Sequence, residues 1–312
     1  MSVDLSAAQE FLRNRFGSDV TDVALAGAGE WSRAFSFNAE GEEFIVRFGA
    51  HVEDFHKDRR AFAFRSPALP IPEVTEIGEA FGGFHAVSRR VSGVMLDHLG
   101  HDELVRTLPA LFRGLDAVRA ADVSATSGFG RWGADGTAPF SSWRDFLLSV
   151  ADDDPATRTF GRASVAAIPT ALRAFDSAFA QLGELVASCP DARHLVHGDL
   201  LNRNVLVEAG SLAGVIDWGC SLYGDFLYDI AWLSFWGPWF PAFEGIDIRA
   251  EALGHYESIG LAVPDLEARL LCYELHSGLG GGMAYQAYSN KTDELAWTIE
   301  RLAQVTREHW PG

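Results

Sequence analysis

LVHGDLLNRNVLV at residues 195–207 and IDWG at residues 216–219 are the two segments that decide the fold of this chain. The end of the first segment and the residues just before the second are both strand-like. Folding them as a hairpin about Gly210 returns Asp217 to the level of Asn204. The spacing therefore predicts that one amide oxygen and one carboxylate face a common point.

Three polar side chains of these segments fit a single chemistry. Asn204 and Asp217 offer oxygen ligands that suit Mg²⁺, which takes one or two carboxylates and completes its shell with water and phosphate oxygens. Asp199 lies five residues before Asn204 across a loop, close enough to orient a hydroxyl toward a metal-bound phosphate. This order of Asp, Asn and Asp is typical of phosphoryl transfer. An isolated H-G-D could be an ordinary turn, but the joint pattern predicts a catalytic Asp199 beside a metal site.

The hydrophobic pattern changes near residue 90. Residues 1–90 alternate short strand-like runs with a single helical stretch, whereas long helical periodicity follows Gly93. We therefore expect an α+β fold with a small β-rich lobe over residues 1–90 and a large helical lobe over residues 91–312. Residues 88–93 are the predicted hinge. The long helices expected in the second lobe are Leu104 to Ala121, Trp143 to Val150 and Val165 to Ala187.

The composition argues against several classes of protein. Asp and Glu number 43 against 25 for Lys and Arg, which gives a formal charge of −18. Such a charge repels nucleic acid and anionic membranes and attracts cations, although it also simply keeps a protein soluble. The three cysteines lack C-x-x-C spacing, so neither a disulfide framework nor a cysteine zinc site is predicted. No membrane span or secretory signal is expected, and a reducing cytoplasm and a monomer fit the composition.

The pattern H-G-D-x-x-x-x-N with I-D-W resembles the aminoglycoside phosphotransferase family. The resemblance covers nearly the whole chain and is most specific to the members that phosphorylate hygromycin B. It implies a bilobal protein-kinase-like fold that transfers the γ-phosphate of a nucleotide to a hydroxyl of a small cationic aminoglycoside or aminocyclitol. It also implies that Asp199 is the catalytic carboxylate and that Asn204 and Asp217 hold magnesium. The further similar segments are EWSRAFSF (30–37), LPIPEV (69–74), SRR (88–90), TSGFG (126–130), WRDF (143–146) and RHLVH (193–197).

The first lobe then supplies the contacts to the nucleotide. A turn with Gly27, Gly29 and Ser32 could bring backbone N–H groups over phosphates, although two glycines are more often only a turn. The exposed backbone of the hinge could read the edge of the base, and either ATP or GTP fits. The predicted base contacts are Arg89, Arg90 and Val91.

Arg47 stands where kinases of this kind normally have a phosphate-gripping Lys. An Arg can still pair bidentately with phosphate oxygens, although it is not a simple substitute for Lys. Alternatively, Arg47 is a solvated charge in an alternating strand. Asp58 on the following helix is the favoured partner of Arg47, and Glu53 and Asp54 are the alternatives.

The acceptor site is expected in the helical lobe near the catalytic carboxylate. Tryptophan faces can pack on sugar rings or attract ammonium groups, and an acid can pair with an ammonium. The competing reading is that these aromatic residues belong to the core. The candidate contacts are Asp199, Asn202, Asp229, Trp236, Trp239 and Glu274.

Two other functions remain open at this point. A kinase of a smaller metabolite, such as choline or a sugar, would use the same phosphate-handling residues. A nucleotide-binding pseudokinase that serves as an interaction module is a different class. Asp199, Asn204 and Asp217 together argue against the pseudokinase, because a scaffold has no physical need for all three. A protein kinase fits less well, since the H-R-D arginine and an A-P-E segment are missing.

Overall fold

The computed structural model describes residues 3–154 and 158–310. The strands are β1 (Thr21–Ala28), β2 (Ser32–Ala39), β3 (Glu42–Gly49), β4 (Val74–Ala80), β5 (Gly83–Arg89), β6 (Val94–Met95), β7 (Gly130–Arg131), β8 (His194–Val196), β9 (Val205–Glu208), β10 (Ser211–Val215) and β11 (Leu222–Gly224). The helices are α1 (Leu5–Phe16), α2 (Val52–Ala61), α3 (His101–Arg119), α4 (Trp143–Leu148), α5 (Arg162–Val165), α6 (Pro169–Leu185), α7 (Leu227–Trp236), α8 (Ile248–Ser258), α9 (Leu266–Ser277), α10 (Tyr285–Tyr288) and α11 (Thr292–His309). A π-helix, Gly278–Ala284, joins α9 to α10.

The first five strands form one antiparallel sheet in the order β1-β2-β3-β5-β4. Phe35 and Phe37 of β2 and Phe48 of β3 are buried, and α1 packs over them to form a small core. A separate and larger core lies among the helices that follow. The β-rich and helical parts thus have their own cores, as expected for two lobes, while the exact boundary at residue 90 stays a prediction.

Three hairpins of the structure turn in the same way. Each has two residues between its strands, the second residue is glycine, and both residues have positive φ. This is the turn geometry that matches the twist of antiparallel strands. The predicted turn at Gly210 is therefore confirmed. The three pairs are Glu40-Gly41, Phe81-Gly82 and Ala209-Gly210.

The sequence pattern misses two elements of the first lobe. Helix α1 begins after Asp4, whose carboxylate accepts a hydrogen bond from the N–H of Ala7 at 2.8 Å. Strand β1 follows at the edge of the sheet, and most of its side chains are exposed. Because a largely exposed strand need not alternate apolar and polar residues, periodicity gives no signal for it.

The predicted helix from Val165 to Ala187 is wrong as a single element. Helix α5 ends at Val165, and α6 begins at Pro169. Proline has no N–H and pushes the residue before it into an extended conformation, which Ile168 adopts with φ −114° and ψ 96°. Proline suits the first turn of a helix, so it starts α6 instead of lying inside a longer one. None of the helices in the described residues is long and apolar enough to cross a membrane.

Two small sheets of the helical part carry the motif segments. Strand β8 runs directly into His197 and pairs with β11, which in turn pairs with β7. The hairpin of β9 and β10 pairs with β6, just beyond the predicted hinge. The chain therefore leaves β8, passes Asp199, forms the hairpin and returns through Asp217 to β11. This path brings the two motif segments to one side of the molecule.

The hairpin turn supplies a stability test. Ala209 has φ +49°, a conformation that costs an L-residue about 1 kcal/mol and that Asn tolerates. We expect Ala209→Asn to raise the free energy of unfolding by up to about 1 kcal/mol in urea titrations. Gly210→Ala is the opposite control: with φ +74° it should lose a similar amount, although the added methyl group meets no other atom. Equal stability of both variants would contradict this account.

Candidate active site

The hairpin brings Asn204 and Asp217 together. Val205 pairs with Val215, and the N–H of Ile216 donates to the carbonyl of Asn204 at 2.9 Å. Asp217 then adopts a left-handed conformation with φ +60°, which turns the chain out of the strand. Asn204 and Asp217 therefore lie side by side at the base of the hairpin, as the spacing predicts.

The loop before the hairpin holds Asp199 at the same place. The Asn202 side chain donates to the carboxylate of Asp199 at 2.9 Å, and the Asn204 side chain donates to the Asp199 carbonyl at 2.8 Å. Asn202 and Arg203 both have positive φ, so the loop is tight. Because the amide nitrogen of Asn204 is used inside the loop, its amide oxygen is available to a ligand.

His197 fixes this loop to the hairpin. Its Nδ1 accepts a hydrogen bond from the N–H of Asp199 at 3.3 Å, and its Nε2 lies 3.0 Å from the carbonyl of Ile216. One ring nitrogen therefore accepts and the other donates, which requires the neutral imidazole. Burial lowers the pKa of His197 to about 4, in agreement with that state. His197 thus supports the loop and is not a proton carrier at neutral pH.

The site is rich in negative charge. Asp199 is partly accessible to solvent but surrounded by protein, and burial together with the charge of Asp217 raises its pKa to about 7. The pKa of Asp217 is raised as well, by burial and by the nearby charges of Asp58 and Asp54. Carboxylates held together in this way are stabilised by a cation.

The donors fit magnesium. Asn204 and Asp217 offer two oxygens, which suits an ion that takes only one or two protein ligands and fills its shell with water and phosphate. Within residues 3–154 and 158–310, no group of three or more His, Cys, Asp or Glu side chains is arranged to hold a metal ion. The site therefore lacks the dedicated set of protein ligands that zinc or calcium requires.

Arg47 and Asp58 form an ion pair between β3 and α2. Burial by itself would lower the pKa of Arg47, but the charges of Asp58 and Asp217 outweigh it, and the pKa is raised. The other carboxylate oxygen of Asp58 accepts the N–H of Trp218 at 2.7 Å. The expected pairing of Arg47 with Asp58 is thus confirmed, and Asp54 pairs with Arg158 instead.

The glycine turn between β1 and β2 lies between the lobes. The N–H of Gly29 donates to the carbonyl of Ser32 at 2.9 Å, so this amide is used within the turn, while Gly27 lies inside β1. Glu30 at the tip pairs with Lys291, just before α11, at 2.9 Å. The neighbouring Trp31 ring lies 5.3 Å from the guanidinium of Arg158. The turn is therefore tied to the helical lobe at two points.

The hinge residues are only partly placed as expected. The N–H of Arg89 donates to the carbonyl of Glu73, and that of Arg90 to the carbonyl of Glu43. Their side chains pair with acids of β3, and both are exposed. These contacts leave the carbonyls of Arg89 and Arg90, with the main chain of Val91, as the groups that could meet a base.

Asp229 is not placed to bind a substrate ammonium, so that expectation is corrected. Its side chain is 2% exposed, and its two oxygens accept the N–H groups of His197 and Gly198 at 2.9 and 2.8 Å. Burial raises its pKa to about 6, although these hydrogen bonds oppose the shift. Asp229 therefore supports, from α7, the loop that carries Asp199.

Glu274 is likewise an internal residue and not an acceptor contact. It is fully buried, and both of its oxygens bind the guanidinium of Arg249. Trp236 stacks on Trp297 and donates to the hydroxyl of Ser277 at 2.8 Å, while the exposed Trp239 meets the edge of Trp297. Trp236 at the end of α7 and Trp239 just beyond it both contact α11, and these contacts favour a packing role.

Sequence reasoning also missed residues that join distant segments of the chain around the site. Lys57 of α2 is buried and donates to two carbonyls of the loop after Asp217. Burial lowers the pKa of Lys57 to about 8. Arg158 binds both oxygens of Asp54, and Lys291 binds Glu30. These contacts join residues distant in sequence, so no local pattern predicts them.

Comparison with known proteins agrees with this geometry. Residues 22–262 match the model of the phosphotransferase enzyme family. The chain belongs to this family. It is 35% identical to the hygromycin-B 4-O-kinase of Escherichia coli over 315 aligned residues, which cover 97% of this chain and 85% of that relative.

Solved structures of the family have the same fold. The chain resembles aminoglycoside phosphotransferase APH(4)-Ia with a TM-score of 0.83 and 33% identity, over 99% of this chain and 100% of that one. A thermostable mutant of APH(4)-Ia, in ternary complex with AMP-PNP and hygromycin B, gives a TM-score of 0.81 and 34% identity over 98% and 100% of the two chains. The expected α+β kinase-like fold and the resemblance to aminoglycoside phosphotransferases are confirmed.

Asp199→Asn should lower the activity of this phosphotransferase and raise its thermal stability. The amide cannot accept the proton of a hydroxyl, so kcat should fall by about 10²–10⁴-fold. The folded-state pKa of Asp199 lies above its ordinary value of 3.8, so the folded protein holds an extra proton between 3.8 and about 7, and stability falls as pH rises through that window. The variant should therefore gain more in Tm at about pH 8 than at about pH 4. Calorimetry with turnover assays checks this, and an unchanged kcat would remove Asp199 from its role.

Asp229→Asn should lower kcat more than it raises the KM of the acceptor. The new amide group cannot accept from both N–H groups, and an unsatisfied buried amide costs about 1–3 kcal/mol and loosens the loop at Asp199. Glu274→Gln is the matched control, since it disturbs a buried acid on another helix. It should lower Tm while leaving the kcat of the folded protein unchanged. A selective rise in acceptor KM for Asp229→Asn would restore the substrate contact.

Proposed function

We propose that this chain transfers the γ-phosphate of ATP to a hydroxyl of hygromycin B or a close aminocyclitol relative. The observation that carries the proposal is the meeting of Asp199, Asn204 and Asp217 at the base of one hairpin. No fold-level analogy is needed for this step, since these groups suit phosphoryl transfer by their chemistry.

The nucleotide would bind in the cleft beside the β-rich lobe, for which residues 1–90 are the proposed extent. Arg47 is proposed to grip phosphate oxygens, with Asp58 holding its guanidinium in place. The glycine turn of Gly27, Gly29 and Ser32 would cover the phosphates, and the main chain of Arg89, Arg90 and Val91 would meet the base.

Asn204 and Asp217 are proposed to hold magnesium. When bound, the ion would neutralise charge on the phosphates and on the transferring group. Asp199 would accept a hydrogen bond from the acceptor hydroxyl and orient it toward the phosphorus atom. Asn202 restrains the Asp199 carboxylate. The raised pKa of Asp199 makes it a better late proton acceptor than an ordinary aspartate, provided that it is ionised.

The substrate class rests on two further observations. A relative with 35% identity is named a hygromycin-B 4-O-kinase, and a similar structure holds hygromycin B with AMP-PNP. The formal charge of −18 favours a cationic acceptor. The relative's nucleotide analogue supports ATP, while GTP, a monomeric state and a cytoplasmic location stay predictions.

A kinase of another small metabolite, such as choline or a sugar, is the alternative, because few contacts decide the acceptor. The test is a panel of hygromycin B, other aminoglycosides, choline and small sugars, each with ATP or GTP and Mg²⁺. Mass analysis should show hygromycin B gaining one phosphate with ATP, and Asp199→Asn should form this product about 10²–10⁴-fold more slowly. Phosphorylation of a different acceptor alone would defeat the substrate and keep the reaction, whereas no transfer to any acceptor would favour the pseudokinase.

A further inference from the structure

Lys57 is a buried cation with an unusual set of partners. Its side chain is 3% exposed, and its Nζ donates to the carbonyls of Gly219 and Ser221 at 2.7 and 3.2 Å. The ring of Trp132 lies 4.7 Å from the same nitrogen. Among the described residues, no carboxylate forms a direct ion pair with Lys57. Its ammonium is therefore stabilised by main-chain oxygens and a ring.

Such an arrangement is costly for a purely structural residue. A buried charge without an ion-pair partner costs free energy that an apolar side chain of similar length would avoid. The two carbonyls belong to the loop that follows Asp217, a proposed magnesium ligand. The unfavourable burial of Lys57 therefore coincides with hydrogen bonds to the backbone that follows Asp217.

Lys57 and its neighbour Asp58 bind opposite polar groups of this loop. Asp58 accepts the N–H of Trp218 at 2.7 Å, and Lys57 donates to the carbonyls of residues 219 and 221. Two consecutive residues of α2 therefore fix three main-chain groups within four residues of Asp217. Since Asp217 itself has a left-handed backbone, its carboxylate direction depends on how the next residues are held.

We propose that Lys57 is a positioning residue that orients Asp217 for magnesium by holding the carbonyls of Gly219 and Ser221. The inference rests on the proposed function, because it needs a magnesium-nucleotide at this site. It adds a contact that the Arg47–Asp58 pair does not supply: Lys57 acts on the loop itself and not on the phosphates. The position of α2 in the β-rich lobe is thereby coupled to the metal site in the helical lobe.

Lys57→Met keeps the length and the apolar stem but removes the donors. Groups that orient metal ligands typically contribute about 10–100-fold in affinity. We therefore expect the calorimetric Kd of ADP with Mg²⁺ to rise by about 10-fold or more, while the Kd of ADP without metal stays unchanged. The Mg²⁺ concentration needed for half-maximal turnover should rise as well. Lys57→Arg, which keeps the charge and donors, should recover part of both losses.

Arg301→Met is the matched control. Arg301 also donates to main-chain carbonyls, those of Ser234 and Phe235, and its guanidinium lies 5.9 Å from the Phe235 ring. It joins α11 to α7 and touches no residue of the site. Its replacement should lower Tm without changing the Mg²⁺ dependence of ADP binding.

The outcomes separate this inference from the function on which it rests. Equal losses of affinity with and without Mg²⁺ in Lys57→Met, or no loss at all, would overturn the positioning role. If that variant does not fold, Lys57→Gln replaces it, because its shorter side chain keeps two N–H donors without the charge. Equal losses of affinity with and without Mg²⁺ in Lys57→Gln would also overturn the positioning role. If the Kd of ADP for the parent protein is the same with and without Mg²⁺, the proposed metal site is refuted instead.

Discussion

The carboxylate of Asp58 is the contact on which the arrangement of the two lobes depends. One oxygen pairs with Arg47 in the sheet, and the other accepts the N–H of Trp218, next to the proposed metal ligand Asp217. A single side chain therefore sets the distance between the group proposed to grip phosphate and the group proposed to hold the metal. Loss of the Asp58 carboxylate would leave both the Arg47 guanidinium and the buried N–H of Trp218 without a hydrogen-bond partner.

The site is assembled against an electrostatic cost. Asp199, Asp217 and Asp229 all have raised pKa values because they are buried, and the first two also repel each other. This cost is tolerated because hydrogen bonds from Asn202, from Asn204 and from the loop amides fix the groups in place. Strain of this kind is common where a protein must meet a charged ligand.

The parts of the site that the sequence predicts are those fixed by local geometry. The turn at Gly210 folds β9 onto β10, and a register shift between Leu212 and Gly214 places Asn204 beside Ile216 and Asp217. One helix places Asp58 after Arg47. The sequence does not show which side of α7 faces inward, because that helix is apolar nearly all round and gives no stripe that separates Asp229 from the solvent. Proximity to the motif therefore predicts that Asp229 contacts the substrate, whereas in the structure Asp229 is buried and supports the loop at His197 and Gly198.

Lys57 illustrates a different limit. A lysine between acids on a helix is ordinarily an exposed charge, and only the approach of a loop more than 160 residues later buries it. Pro169, in contrast, is a local signal for the start of a helix. A prediction based on helical periodicity alone runs through it and therefore misses the start of α6. Contacts distant in sequence are decided by packing, and no window of residues contains them.

The two ties of the glycine turn bear on the timing of the catalytic cycle. Glu30 and Lys291 are both substantially exposed, and an exposed ion pair of this kind contributes only about 0–1 kcal/mol. The contact of Trp31 with Arg158 is of similar size, about 0.5–1 kcal/mol. If the nucleotide binds beneath the turn as proposed, both contacts would have to break before the spent nucleotide leaves. Because each contact is weak, thermal motion can open the turn on every catalytic cycle. Weak contacts suit an enzyme that releases product repeatedly, since a tightly held turn would slow that release.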